Sequence, residues 1–92
     1  MPDTPVLERA WALSPQVAVR PERFGALLYD FGTRRLSFLK DPRLLAVVER
    51  LADAPSARAA CAEAGVPEAA LPAFEKALDR LAETGMLRER AA

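Results

Sequence analysis

Leu27, Tyr29 and Phe31 alternate with Ala26, Leu28 and Asp30, and after a break the alternation resumes with Leu36 and Phe38 against Ser37 and Leu39. Side chains that repeat with a period of two leave a strand on opposite faces, so both runs predict β-strands. Phe31-Gly32-Thr33-Arg34 supplies a turn between them, in which Gly32 can take positive φ without a Cβ penalty. Arg20 to Lys40 is therefore expected to be a β-hairpin. Ahead of it Val17-Ala-Val-Arg20 alternates in the same way and is ended by Pro21, which predicts a short first strand. Pro15 is tolerated at that strand's start or on an edge, not in a central strand. One face of the meander is more apolar than the other and calls for helices on one side.

From Asp41 the pattern becomes helical. Asp41 suits an N-cap and Pro42 the first helical position, where a missing N–H costs nothing. Leu44, Leu45, Val47, Val48 and Leu51 form an apolar face, with Arg43, Glu49 and Arg50 pointing elsewhere. Ala54-Pro55 stops this helix; Ser56 caps a second, alanine-rich one that ends at Gly65. Pro67 to Leu71 is expected to be a separate turn or kinked entry, with Pro72 in the first turn of a last helix. That helix places Leu71, Phe74, Leu78 and Leu81 on one face and ends at Gly85, after which Met86 and Leu87 return to cover the core. Met1 to Arg9, with two prolines and mixed charge, reads as a loose arm. The expected organisation is a flexible arm over residues 1–10 and one domain over 11–92. The fold class is α+β and winged-helix-like, a three-stranded antiparallel sheet followed by three helices.

Composition removes several function classes. The chain has 92 residues, 51% of them hydrophobic and 28% charged, as one globular domain should. Lys+Arg and Asp+Glu are both 13, so the basic excess expected of a nucleic-acid binder is missing. There is no histidine, and the single cysteine is Cys61. That excludes a disulfide within the chain, a Cys/His zinc site and any Ser-His-Asp or Cys-His catalytic set. With no carboxylate pairing or phosphate-binding glycine loop, the reading is not an enzyme and implies no cofactor. No apolar run approaches the ~20 residues of a membrane span, and the first residues lack a basic and an apolar signal region. A cytoplasmic protein without membrane contact is the expectation. Cys61 reads as a small buried hydrophobe, and Trp11 as flanking the core rather than as an exposed anchor.

What remains is a surface. A small sheet with helices behind it leaves an unpaired edge beside a helix face, and such an edge can accept an extended peptide as an added strand. The ordinary alternative is that Leu36 and Phe38 pack under the helices while Arg34 and Arg35 are solvated. Two short helices and a longer one beside a hairpin also describe a winged helix, so a nucleic-acid-binding regulator is the second reading. Against it, Glu75, Asp79 and Glu83 are interleaved with Lys76 and Arg80 on the last helix. A pure assembly adaptor is the third.

Trp11-Ala-Leu-Ser-Pro-Gln-Val-Ala-Val-Arg-Pro21, Phe24-Gly-Ala-Leu-Leu-Tyr29, Phe31-Gly-Thr-Arg34 and Leu36-Ser-Phe-Leu-Lys40 together carry a resemblance. With Arg58-Ala-Ala-Cys61 and Ala64-Gly-Val66 added, the chain resembles the PqqD-like family of precursor-peptide recognition domains from Trp11 to about Leu87, and within it the mycofactocin-biosynthesis subgroup. Many members have Asp-Gly between the first two helices where this chain has Asp53-Ala-Pro55, which changes a turn. The resemblance implies a non-catalytic protein that binds the peptide MftA and presents it to the radical SAM enzyme MftC, whose cluster and S-adenosylmethionine are its own. It also implies that the peptide adds antiparallel to the third strand, at Arg35, Leu36, Ser37, Phe38, Leu39 and Lys40. On the last helix it points to Ala73, Lys76, Ala77, Arg80 and Thr84.

Overall fold

Two antiparallel sheets and three helices share one apolar core in the computed structural model, which describes residues 4–90. The larger sheet runs β2 (Val17–Glu22), β3 (Gly25–Asp30), β4 (Arg35–Leu39) in that spatial order. Behind it follow α1 (Pro42–Arg50), α2 (Ala57–Glu63) and α3 (Leu71–Glu83). The expected α+β arrangement of a three-stranded antiparallel sheet and three helices is present. The smaller sheet was not expected. It pairs β1 (Trp11–Leu13) with β5 (Leu87–Glu89) in the register Trp11↔Glu89, Ala12↔Arg88, Leu13↔Leu87.

The helix boundaries follow their local signals. The Asp41 carboxylate accepts from the Arg43 N–H at 2.8 Å, and the Ser56 hydroxyl accepts from the Ala59 N–H at 3.1 Å. At the end of α3 the Met86 N–H donates to Leu81 O at 3.0 Å and the Gly85 N–H to Ala82 O at 3.1 Å. This is the paired closure that left-handed Gly85, at φ 82°, makes possible.

The hairpin details differ from expectation in three ways. First, β2 continues through Pro21 to Glu22. The Phe31 N–H donates to Gln16 O at 2.8 Å, continuing the β2–β3 ladder, and its alternation places the nitrogen of Pro21 on the side away from β3. Second, the left-handed residue of the β3–β4 turn is Arg34, at φ 63°, rather than Gly32. Asp30, only 3% exposed, accepts from the Gly32 and Thr33 N–H groups at 2.8 and 3.1 Å, which curls the turn early and leaves the reversal to its last residue. Third, the buried face of the sheet carries Ala26, Leu28 and Leu39, whereas Leu36 and Phe38 are 54% and 58% exposed. The pairs Ala26↔Leu39 and Leu28↔Ser37 put these residues on the side where α1 packs, so Leu36 and Phe38 point away from the helices.

One glycine fixes how the sheet meets α1. Gly25, at φ 149°, opens β3 where a Cβ would come 1.9 Å from Leu39 O and 2.9 Å from Asp41 N. Only a residue without a side chain lets the end of β4 pass that closely.

The expected flexible arm lies partly outside the described residues. Within them, residues 6–8 form a 3-10 turn whose Val6 and Leu7 are buried, so this part of the arm belongs to the core. Trp11 is 5% exposed, its indole N–H donates to Val6 O at 2.9 Å, and Arg9 lies 4.8 Å from its ring centroid. Glu8 is paired with Arg58 of α2 at 2.6 Å. Cys61 is buried as expected, and burial pushes its thiol pKa up. Among the described residues no helix is long and apolar enough to cross a membrane.

Candidate strand-docking groove

β4 is an edge strand: β3 pairs with it on one side, and among the described residues no strand lies on the other. Its open groups follow from the ladder. Phe31 bonds to β2, so the odd residues of β3 address β2 and the even ones address β4. Ala26 and Leu28 therefore exchange hydrogen bonds with Leu39 and Ser37, while at the turn Asp30 O accepts from the Arg34 N–H at 2.7 Å. The N–H and C=O groups of Leu36 and Phe38 face the open edge, where an added strand would find them.

Beside that edge run two adjoining clefts of about 320 and 200 Å³, walled on their far side by α3. The larger is lined by Phe38, Lys40, Asp41 and Leu44 on one side and Ala73, Phe74, Ala77 and Arg80 on the other. The smaller adds Ser37, Leu39 and Leu81. Ala73, Ala77 and Arg80 lie four and three residues apart, which puts them on one stripe of α3. The two alanines leave room that a longer side chain would fill. The floor is apolar, from Leu44 and Phe74, and Lys40 and Arg80 bring positive charge to the walls.

Asp41 contributes less charge than its position suggests. Its carboxylate caps α1 and accepts from the Arg43 guanidinium at 2.9 and 3.3 Å. Those bonds hold its pKa below the ordinary value. The Arg43 guanidinium in turn lies 5.4 Å from the Phe74 ring centroid, tying the start of α1 to α3. Among the described residues neither Lys40 nor Arg80 is in an ion pair. The groove thus offers an apolar floor, two cations and a row of backbone donors and acceptors. That combination suits an extended chain and holds no group placed for covalent chemistry.

Of the residues expected to form the site, Ser37, Phe38, Leu39, Lys40, Ala73, Ala77 and Arg80 come together here. Arg35 and Leu36 lie further along the same edge, beyond the clefts. Lys76 and Thr84 do not line them; the Thr84 hydroxyl instead donates to Leu81 O at 3.0 Å at the end of α3. The helical spacing of Leu44 and Phe74 assigns both to the core, yet both also floor the groove. The sequence marks Asp41 only as a helix cap, yet it lines the larger cleft. The signal that identified them as structural gave no hint of a second role.

The family described as "Peptide chaperone MftB family" matches residues 10–88. The peptide chaperone MftB of Mycobacterium tuberculosis (strain ATCC 25618 / H37Rv) is 57% identical over 83 residues, covering 90% of this chain and 76% of its own. The protein of the same name from Mycobacterium ulcerans (strain Agy99) is 56% identical over 80 residues, covering 87% and 73%. That of Mycolicibacterium smegmatis (strain ATCC 700084 / mc(2)155) is 53% identical over 78 residues, covering 85% and 76%. No solved structure gives a significant match.

Proposed function

The chain belongs to the peptide chaperone MftB family, and from that premise we propose that it holds a precursor peptide as an extra strand on β4. It is a non-catalytic peptide chaperone of mycofactocin biosynthesis. The peptide is MftA, and the enzyme to which it is presented is the radical SAM enzyme MftC, with both encounters in the cytoplasm. The iron–sulfur and S-adenosylmethionine chemistry rests with that enzyme.

The observation that carries this reading is the pairing of an open strand edge with a groove. The outward N–H and C=O groups of Leu36 and Phe38 would bond to the peptide backbone regardless of its sequence. The space between Phe38, Leu44, Phe74 and Ala77 would take its apolar side chains. Lys40 and Arg80 would meet carboxylates along the same segment. Contact through Arg35 and Leu36 would extend the added strand beyond the clefts.

Calorimetric titration of MftA into the protein, alone and with MftC present, tests the reading. The wild-type chain should bind the peptide. Ala73→Trp, at an exposed position whose new side chain would fill the larger cleft, should abolish binding while leaving the circular dichroism unchanged. Unaltered binding by Ala73→Trp would place the peptide elsewhere.

A further inference from the structure

We propose that the outer face of the β2-β3-β4 sheet is a second docking surface, made for a folded protein whose apolar surface has an acidic margin. Resting on the reading above, that partner is the radical SAM enzyme, which would sit against the sheet face while the peptide occupies the edge.

The sheet register separates two faces. Ala26, Leu28 and Leu39 face α1, and Leu27, Tyr29, Leu36 and Phe38 share the opposite side through the pairs Leu27↔Phe38 and Tyr29↔Leu36. Phe24 and Phe31 continue this apolar surface at its two ends. Four of these large side chains are substantially exposed: Phe24 44%, Phe31 63%, Leu36 54% and Phe38 58%. They are held against their neighbours, with Tyr29 and Phe31 meeting edge to face at 4.7 Å and Phe24 and Phe38 tilted at 6.2 Å. The solvent face of an antiparallel sheet is ordinarily polar, and a contiguous apolar patch marks an interaction site.

The charge around the patch selects among occupants. Arg20, opposite Leu27, and Arg23 in the β2–β3 turn stand at one end, and Arg34 in the β3–β4 turn at the other, whereas Arg35, opposite Asp30, belongs to the helix-side face. Glu22 is paired with Arg20 at 2.9 Å, and Asp41, close to Gly25, with Arg43 at 2.9 Å, so among the described residues Arg23 and Arg34 are the arginines of this margin that are in no ion pair. Asp30 is buried and turned towards its own loop. A chain of zero net charge thus carries positive charge at both ends of the face that holds Phe24, Phe31, Leu36 and Phe38. A second copy is a poor occupant, because a two-fold contact would set one arginine margin against the other. An extended peptide is also a poor one, because the backbone groups of β4 lie in the plane of the sheet and this face offers side chains only. A folded surface with an apolar centre and acidic rim satisfies both constraints. Phe38 belongs to the face and to the groove alike, so a protein seated here would touch the docked peptide.

The test uses purified MftC as the probe. Its affinity is measured by calorimetry for the wild-type chain, for Phe31→Asp and for Arg23→Glu/Arg34→Glu, alongside MftA affinity and circular dichroism. None of these three positions lines the groove. The expected result is at least about tenfold weaker MftC binding for both variants, with MftA affinity within about twofold of wild type. If Phe31→Asp fails to fold, the arginine pair alone decides. Wild-type MftC affinity in folded variants overturns the proposal and leaves peptide docking intact, as does failure of the wild-type chain to bind MftC while binding MftA. Failure to bind MftA at all removes the peptide reading and this inference with it. A wild-type dimer in sedimentation that Phe31→Asp dissociates assigns the face to self-association and also overturns it.

Discussion

Single proline substitutions along β4 should divide by parity. Leu36 and Phe38 direct their N–H groups to the open edge, so proline there removes no bond within the fold. Its ring does pull φ from about −140° towards about −65°, for which about 1 kcal/mol is a reasonable cost on an edge strand. Ser37 is different. Its N–H faces Leu28 across the ladder, and proline would delete that bond, strand the fully buried Leu28 carbonyl and press a ring against β3. A lost bond of about 0.5–1.5 kcal/mol and an unsatisfied buried acceptor of about 1–3 kcal/mol put Ser37→Pro near 2–4 kcal/mol. For 92 residues at roughly 0.05–0.15 kcal/mol each, the whole fold is worth about 5–14 kcal/mol, so Ser37→Pro should be visibly destabilised. Binding should show the reverse order. Leu36→Pro and Phe38→Pro each leave one peptide carbonyl unpaired, which at about 1–3 kcal/mol corresponds to roughly 5- to 150-fold weaker affinity for MftA. Thermal denaturation followed by circular dichroism reports stability, and calorimetry against alanine variants at the same positions reports the backbone contribution. If both outward proline variants fold and bind MftA like their alanine controls, β4 is not the docking edge. If Ser37→Pro melts like wild type, the ladder parity is wrong.

Leu78, fully buried in the core, should cost about 2–5 kcal/mol on truncation to alanine, measured by chemical denaturation. Arg80→Ala, at an exposed groove position, should stay within about 0.5 kcal/mol of wild type in stability yet weaken MftA binding, with the loss shrinking as salt rises. Asp41 has its pKa depressed chiefly by the Arg43 side chain, so its stabilising effect is present above its unfolded value of about 4 and is lost as pH falls through its lower folded value. Asp41→Ala should therefore cost about 1 kcal/mol at neutral pH and progressively less in acid, read from melting curves between pH 7 and pH 2.

The helical half was legible in the sequence because its signals are local. Asp41, Ser56, Gly65 and Gly85 each cap or close a helix through neighbours a few residues away, and all four do so here. The sheet was legible in its strands but not in its orientation. Both parities of the hairpin are apolar, with Leu28 and Leu39 on one and Leu27, Leu36 and Phe38 on the other, so alternation alone cannot decide which side α1 covers. That depends on the close crossing at Gly25, which joins residues distant in sequence. The pairing of Trp11–Leu13 with Leu87–Glu89 is more remote still, between runs too short to show a period. Pro21 misled for a related reason: whether a proline ends a strand depends on which way its nitrogen faces, and sequence does not state that. The open edge beside a helix followed from the strand pattern, and the family resemblance added the third strand and residues 73–84 as the segments where a peptide is expected, whereas Leu44 and Phe74 were hidden by their obvious role in the core.

The β1–β5 pair also sets how the molecule would respond to mechanical load. Because the strands are antiparallel, Ala10 and Arg90 lie side by side, joined by a hydrogen bond of 2.9 Å. Tension applied between them would open the ladder one rung at a time, as a zipper opens, rather than shearing all its bonds together. The first bond lost would be the one joining Arg90 to Ala10, and the peel would run past Ala12 and Arg88, ending where Ser14 bonds to Met86. Met86 is fully buried and directly follows Gly85, so the force would then reach the C-terminal end of α3. A handle pair placed at these two positions would therefore unfold the domain at low force, beginning at the seam farthest apart in sequence.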